Sequence, residues 1–246
     1  MTNVKVFDKS CKAINYISRT ATRGAEYEMV LNYIEFLKEK YKKLKYKKIA
    51  IFIEPQIGIG FPDIVIVEYY DLNNNIYRDS EVILKALDLK ILFEIQIRKN
   101  VSIKELNYLL GFSELEIKKS SEKLKKMGLI RASKNFSQLR NTRLKYYSGI
   151  KKIITVEAKI NKWSDAINQA RQNFAFATES YILLNKSNCS NEIFHKCKDI
   201  GIGIILSNGK IEKVLKSETR EFPVSYLSLV VNEWIKNKRY WRKQND

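Results

Sequence analysis

Met29, Val30, Tyr33, Ile34, Leu37 and Tyr41 recur at three- and four-residue steps, the spacing that lines apolar side chains along one face of a helix. The pattern predicts an amphipathic helix over residues 23–46. Two apolar runs rich in β-branched residues follow, 49–53 and 64–67, with a Pro/Gly-rich bend at 54–62 between them. They read as a strand, a turn and a second strand. Asn73-Asn74-Asn75 marks a loop and a boundary. Residues 84–97 then read as a helix. Ser102 with Glu105, and Ser113 with Glu116, repeat the spacing at which a hydroxyl and a carboxylate cap each other's backbone N–H. Two more helices are therefore expected, over 103–110 and 113–127, stopped by Gly111 and Gly128. Residues 129–130 and 143–147 are expected to pair as a hairpin around the polar stretch 133–141.

After Gly149 the apolar runs lengthen again. Residues 153–156 read as a strand, 163–177 as a helix and 181–184 as a strand. Residues 202–206 and 211–215 flank Asn208-Gly209, a strong hairpin turn signal. Pro223 opens a last helix over 224–238. With residues 72–150 set aside, the order is helix, strand, strand, strand, helix, strand, strand, helix, which is the order of a mixed α/β sheet. The chain thus divides into a discontinuous core domain, 1–72 with 150–246, and an inserted domain, 73–149.

Hydrophobic residues make up 45% of the 246, enough to bury a core and to argue against global disorder. No window approaches the roughly 18 uninterrupted apolar residues of a membrane span, and the N-terminus lacks the basic-then-apolar order of a secretory signal. Cys11, Cys189 and Cys197 are odd in number and widely scattered. That usage suits a reducing cytoplasm rather than a disulfide framework or a zinc knuckle. Charge changes the picture more. The net charge is +18, and Arg98 to Lys152 holds 15 Lys/Arg against 4 Asp/Glu. A surplus gathered in one segment points to a face for a polyanion, and nucleic acid is the usual one.

The acidic residues offer a matching chemistry. Hydrolysing a phosphodiester calls for two or three hard oxygen ligands around a divalent ion. Asp63 follows Pro62 at the mouth of the second strand, and Glu157 and Lys159 flank Ala158 at the end of the third. Side chains alternate along a strand, so Glu157 and Lys159 share a face. A carboxylate there can hold an ion while the lysine positions a water or, as the neutral amine, deprotonates it. His195, the one histidine, has no partner ligand nearby in sequence. This argues against zinc chemistry and a histidine base.

Pro62-Asp63 followed by Glu157-Ala158-Lys159 resembles the PD-(D/E)xK nuclease superfamily, over roughly residues 22–70 and 150–215. The resemblance implies a restriction-endonuclease-like core in which Asp63 and Glu157 bind Mg²⁺ (or Mn²⁺) and Lys159 assists the attacking water. It also implies that Gln169, on the following helix, points into the site. An acidic residue of the first helix would complete the metal site; Glu26 and Glu28 both qualify, and periodicity favours Glu26. Glu54, near the bend, is a weaker candidate. The chain departs from the family in the spacing of Asp63 and Glu157, which are 94 positions apart, where a short hairpin is usual.

Residues 98–150 resemble an α+β winged-helix domain, carried by Val101-Ser102-Ile103, Leu106, Leu109, Gly111 and Leu124 through Ile130. The resemblance makes 113–127 a recognition helix, with Lys118, Lys119, Lys123, Lys125 and Lys126 reaching outward and Ile117, Ser121 and Leu124 inward. Lys134, Gln138, Arg140, Asn141 and Arg143 would lie on the wing. Lysines at this density neutralise phosphate and so position duplex DNA without reading its sequence. Near the C-terminus, Tyr240 and Trp241 lie among the bases of 236–243 and could grip a backbone, stack on a base or pack on the core.

Together these features describe a Mg²⁺-dependent DNA endonuclease. A DNA-binding regulator with an inactive nuclease fold and a Holliday-junction resolvase are the competing readings. Double-strand cleavage by one-strand sites implies a homodimer on DNA, with Val224, Leu227, Val230, Val231 and Trp234 of the last helix as its candidate contact.

Overall fold

A computed structural model describes residues 3–19, 24–44, 46–58, 60–70, 82–142, 149–185, 189–208, 210–223 and 225–237. In chain order the elements are β1 (Val4–Phe7), a short 3-10 turn (Lys12–Ile14), α1 (Ala25–Lys42), β2 (Lys48–Ile53), β3 (Ile64–Tyr69), α2 (Ala86–Arg98), β4 (Asn100–Val101), α3 (Ile103–Leu110) and α4 (Glu114–Lys126). Then come β5 (Ile130–Ala132), β6 (Leu139–Asn141), β7 (Ile150–Lys159), α5 (Trp163–Asn173), β8 (Glu179–Asn185), α6 (Asn191–Asp199), β9 (Gly203–Ser207), β10 (Ile211–Leu215) and α7 (Tyr226–Lys236). The class is mixed α/β. Among the described residues no helix is long and apolar enough to cross a membrane.

The chain forms two compact units: 1–71 with 149–223 and 238–246, and 72–148 with 224–237. The first is built on a seven-stranded sheet in the order β1-β2-β3-β7-β8-β9-β10. Its β1/β2, β7/β8 and β8/β9 pairs are parallel, and its β2/β3, β3/β7 and β9/β10 pairs antiparallel. The apolar stripe of α1, including Tyr33, Ile34 and Leu37, packs with Ile51, Ile66, Val156 and Leu183 on one face. On the other face Ala166, Ala170 and Phe174 of α5, with Ile193 and Cys197 of α6, cover Ile182, Leu184, Ile204 and Leu206. Near β1 the N-terminal segment lays Tyr16 beside Phe7 and Phe52, whose rings stack at 4.7 Å.

Strand β7 is ten residues long, well beyond the expected 153–156. Its first part, Ile150 to Val156, pairs with β3 and its last part, Ile154 to Lys159, with β8, so the two ladders together carry its charged ends into the sheet. β1 and α6 were not anticipated. Only Ile193 and Cys197 of α6 are buried, a single four-residue step that is too short a stripe to stand out.

In the second unit α2, α3 and α4 surround a three-stranded sheet in the order β4-β6-β5. Leu92, Ile95, Leu106, Ile117, Leu124 and Leu139 share its core. The capping boxes at Ser102/Glu105 and Ser113/Glu116 are both formed. The hairpin's return strand begins within the expected tip: β5 pairs with β6, while 143–147 lie outside the described residues. The turn closes early because the Ser133 N–H donates to the Gln138 carbonyl at 3.0 Å, and Phe136 takes a left-handed φ of 55°. Leu139, fully buried, then anchors the return strand.

α7 also belongs to this unit, which corrects the assignment of 150–246 to the core domain. Leu229, with Tyr226 and Val230, joins the core that α2 helps build, and the Glu233 carboxylate accepts from the Leu84 N–H at 3.2 Å. Val231 and Trp234 are buried, Leu227 and Val230 half-buried; Val224 lies outside the described residues. The face expected to mediate a homodimer is therefore largely covered within the chain.

Candidate active site

The register of the first sheet gathers its acidic residues. Ile53 lies opposite Ile64, and Ile64 opposite Val156. One step further along, Glu54, Asp63 and Glu157 fall in a row at the ends of three adjacent strands. The Glu54 N–H donates to the Asp63 carbonyl at 3.0 Å, which continues the ladder to this row. Asp63 Oδ2 accepts the Ala158 N–H at 2.7 Å, so its carboxylate is fixed against the end of β7. Asn173, the last residue of α5, donates from its side-chain amide to Glu157 Oε1 at 2.6 Å.

Lys159 completes the group. Its ammonium lies 3.8 Å from Asp63 Oδ2 and 3.4 Å from Glu26 Oε2, and donates to the Ala158 carbonyl at 2.9 Å. Glu26, in the first turn of α1, also accepts the Ile160 N–H at 3.2 Å. Glu26 therefore reaches the site's edge through Lys159, and no contact of Glu28 with these groups is seen among the described residues.

Burial and repulsion dominate the electrostatics. Glu157 is only 2% exposed. Desolvation, then the neighbouring Asp63 charge, push its carboxyl up to about 8, against the pull of Asn173 and Lys159. Asp63 is raised too, by burial first, although Lys159 and the Ala158 N–H oppose the shift. Two carboxylates that both resist ionisation when buried together form a place where negative charge lacks compensation.

Glu54 is engaged otherwise. Buried and at a left-handed φ of 43°, it accepts from Arg19 Nε at 2.6 Å. Gln169 is exposed. The α5 residue that meets Glu157 is Asn173, four positions on and thus on the same helical face. Its signal was that spacing, obscured by the more familiar glutamine. Arg19 lies in an irregular segment that only tertiary contacts bring to the row, and no local pattern marks it. His195 is exposed, edge-on to Phe194.

Asp63 and Glu157 fit a hard divalent cation, whose charge would relieve their repulsion, and Glu26 is within reach of the same lysine. As they stand, no three His, Cys, Asp or Glu side chains among the described residues are grouped to ligate an ion.

In the second unit Lys118, Lys119, Lys126, Lys134 and Arg140 are exposed. Lys123 is not available in the same way: its ammonium is bonded to the buried Asp88 and to the Ile83 carbonyl. Arg143 lies outside the described residues. A cavity of about 610 Å³ opens between the starts of α3 and α4 and the β5–β6 turn, with Lys104, Lys118, Leu115 and Phe136 on its walls. No protein-family profile, curated protein or solved structure matches this chain.

Proposed function

We propose that this chain is a metal-dependent DNA endonuclease with a restriction-endonuclease-like core and a winged-helix unit that docks duplex DNA. The observation that carries the reading is the row itself. Glu157, buried, and Asp63, partly buried beside it at the strand ends, with Lys159 between Asp63 and Glu26, form a site built for positive charge and for an anion. Mg²⁺ or Mn²⁺, when bound, supplies Lewis-acid stabilisation of the phosphate and a more acidic water. Asp63 and Glu157 would hold it, with Glu26 as the third carboxylate. Ala158 orients Asp63 through its N–H, and Asn173 orients Glu157. Lys159 holds the attacking water and meets the charge that develops on the phosphate. In the reaction the water oxygen bonds to phosphorus, the bond to one sugar oxygen breaks, and that oxygen leaves with a proton.

The second unit supports the DNA assignment through its element order and charge. Its α2-β4-α3-α4-β5-β6 succession, with exposed lysines on α4 and the hairpin beside it, is the order of a winged helix. Phosphate contacts of this kind bind many sequences alike. Incubating the purified chain with supercoiled plasmid, with and without Mg²⁺, tests the reading. Conversion to nicked or linear DNA only with the ion is expected, and intact plasmid at every divalent-ion concentration would refute it.

A further inference from the structure

Glu54, Asp63 and Glu157 lie in a row at the neighbouring ends of β2, β3 and β7, yet Glu54 serves a different partner. Arg19 Nε donates to Glu54 Oε2 at 2.6 Å, and the Arg19 N–H donates to the Glu54 carbonyl at 3.0 Å. Glu54 is 7% exposed and held at a left-handed φ of 43°, a conformation unfavourable for a residue with a side chain. The Arg19 side chain, by contrast, is half exposed.

Backbone and side-chain contacts hold the segment that delivers this arginine. The Ser18 hydroxyl donates to the Ile53 carbonyl at 3.0 Å, and the Gln56 N–H to the Ile17 carbonyl at 2.8 Å. The guanidinium lies 5.5 Å from the centre of the Phe61 ring. Glu54 first, then Asp63 and Glu157, strengthen its hold on its proton, so the cation lies within the field of the catalytic pair. Among the described residues only its Nε–H has a side-chain partner. The two terminal amino groups keep the fork that matches a phosphate.

A pair of buried carboxylates repels the very strand it must meet. A fixed cation at the same sheet edge removes that obstacle. Resting on the nuclease reading, we propose that Arg19 and Glu54 form a phosphate-binding site beside Asp63 and Glu157. Arg19 binds the non-bridging oxygens of a DNA phosphodiester through its terminal amino groups. Glu54 is a positioning residue that aims the guanidinium.

The test uses the full chain. Binding to a short duplex of mixed sequence is followed without divalent ions as affinity against salt, and plasmid cleavage is followed with Mg²⁺. Arg19→Gln is expected to lower the salt slope by about 0.9, the share of one phosphate contact, and to slow cleavage on the order of 100-fold. Glu54→Ala should slow cleavage as much. Glu54→Gln, whose amide oxygen can still accept from the guanidinium, should keep most of the rate. The double variant Arg19→Gln/Glu54→Ala should lose no more than either alone. A pair that only braces the N-terminal segment would lower the melting temperature and leave the salt slope of Arg19→Gln unchanged, which overturns the proposal. So does an Arg19→Gln variant that cuts at the wild-type rate. If the wild-type chain neither binds nor cuts DNA, the nuclease reading falls and this site with it. If it cuts and the variants match it, only this site falls.

Discussion

Burying two carboxylates against each other stores an electrostatic penalty that depends on pH in a defined sense. The folded chain holds the Glu157 proton more tightly than the unfolded chain, because burial and Asp63 raise the carboxyl from 4.5 to about 8. The penalty is therefore full above about pH 8 and is relieved as pH falls toward the unfolded value. In chelator, thermal stability should rise on acidification through that window, and Glu157→Gln should flatten the rise. Equal slopes in the two proteins would contradict the origin assigned here. On cleavage, Asp63→Asn, Glu157→Gln and Lys159→Met are each expected to reduce the rate by at least ~100-fold while duplex affinity stays within a few-fold. Gel-based cleavage and binding titrations check this, and a variant that still cuts would lose its place in the mechanism. The Asp63, Glu157 and Lys159 grouping was legible in the sequence because strand alternation and two apolar runs place it. Asn173 and Arg19 were not, and Glu54 was named only as a weaker acidic candidate, not as the partner of Arg19. Their roles arise from a helix end, an irregular segment and a strand register, which only long-range packing sets. Lys123 misled for the same reason: charge count cannot show that Asp88 lies beneath it.

At the level of elements, α4 has two jobs on two faces. Inward, Ser120 and Lys123 bind Asp88 of α2, which also accepts the Lys85 N–H at 2.8 Å. Asp88 is 4% exposed, so Asp88→Ala leaves a half-buried ammonium and a buried hydroxyl without their acceptor. A loss of about 3 kcal/mol in unfolding free energy is expected for the second unit, read by denaturant titration; a change under about 0.5 kcal/mol would show the tie to be incidental. Outward, Lys118, Lys119 and Lys126 are exposed. Reversing all three to Glu should weaken binding to unrelated duplexes alike and lower the salt slope by about 0.9 per lost contact. An unchanged slope would remove α4 from the interface. Helices α3 and α4 were readable since each starts at a serine cap and ends at or beside a glycine. The β5–β6 turn was not, because a phenylalanine, not a glycine or asparagine, occupies its left-handed position.

For the whole molecule, the division into a core and an insert was visible in the Asn-rich boundary and in the shift of charge. The place of α7 was not, since its apolar face suits a sheet, a partner or another helix equally, and sequence does not say which. Deleting residues 225–237 should therefore damage the second unit rather than the first. Amide exchange is expected to show lost protection in α2 and α4 with the strands of the seven-stranded sheet still protected, and duplex affinity should fall with it. Protection lost first in β7 and β8 would place α7 with the core after all.

The two units alternate along the chain: first, second, first, second. On a ribosome the segments emerge in that order, and α7 follows every strand of the seven-stranded sheet. The second unit thus waits, with part of its apolar core uncovered, while 149–223 are made and the strand carrying Glu157 joins the sheet. A nascent chain released before α7 is made carries Asp63, Glu157 and Lys159 in a sheet whose strands are all present, beside a second unit still short of one helix. Assembly order, written into chain order, lets the seven-stranded sheet close before the second unit can.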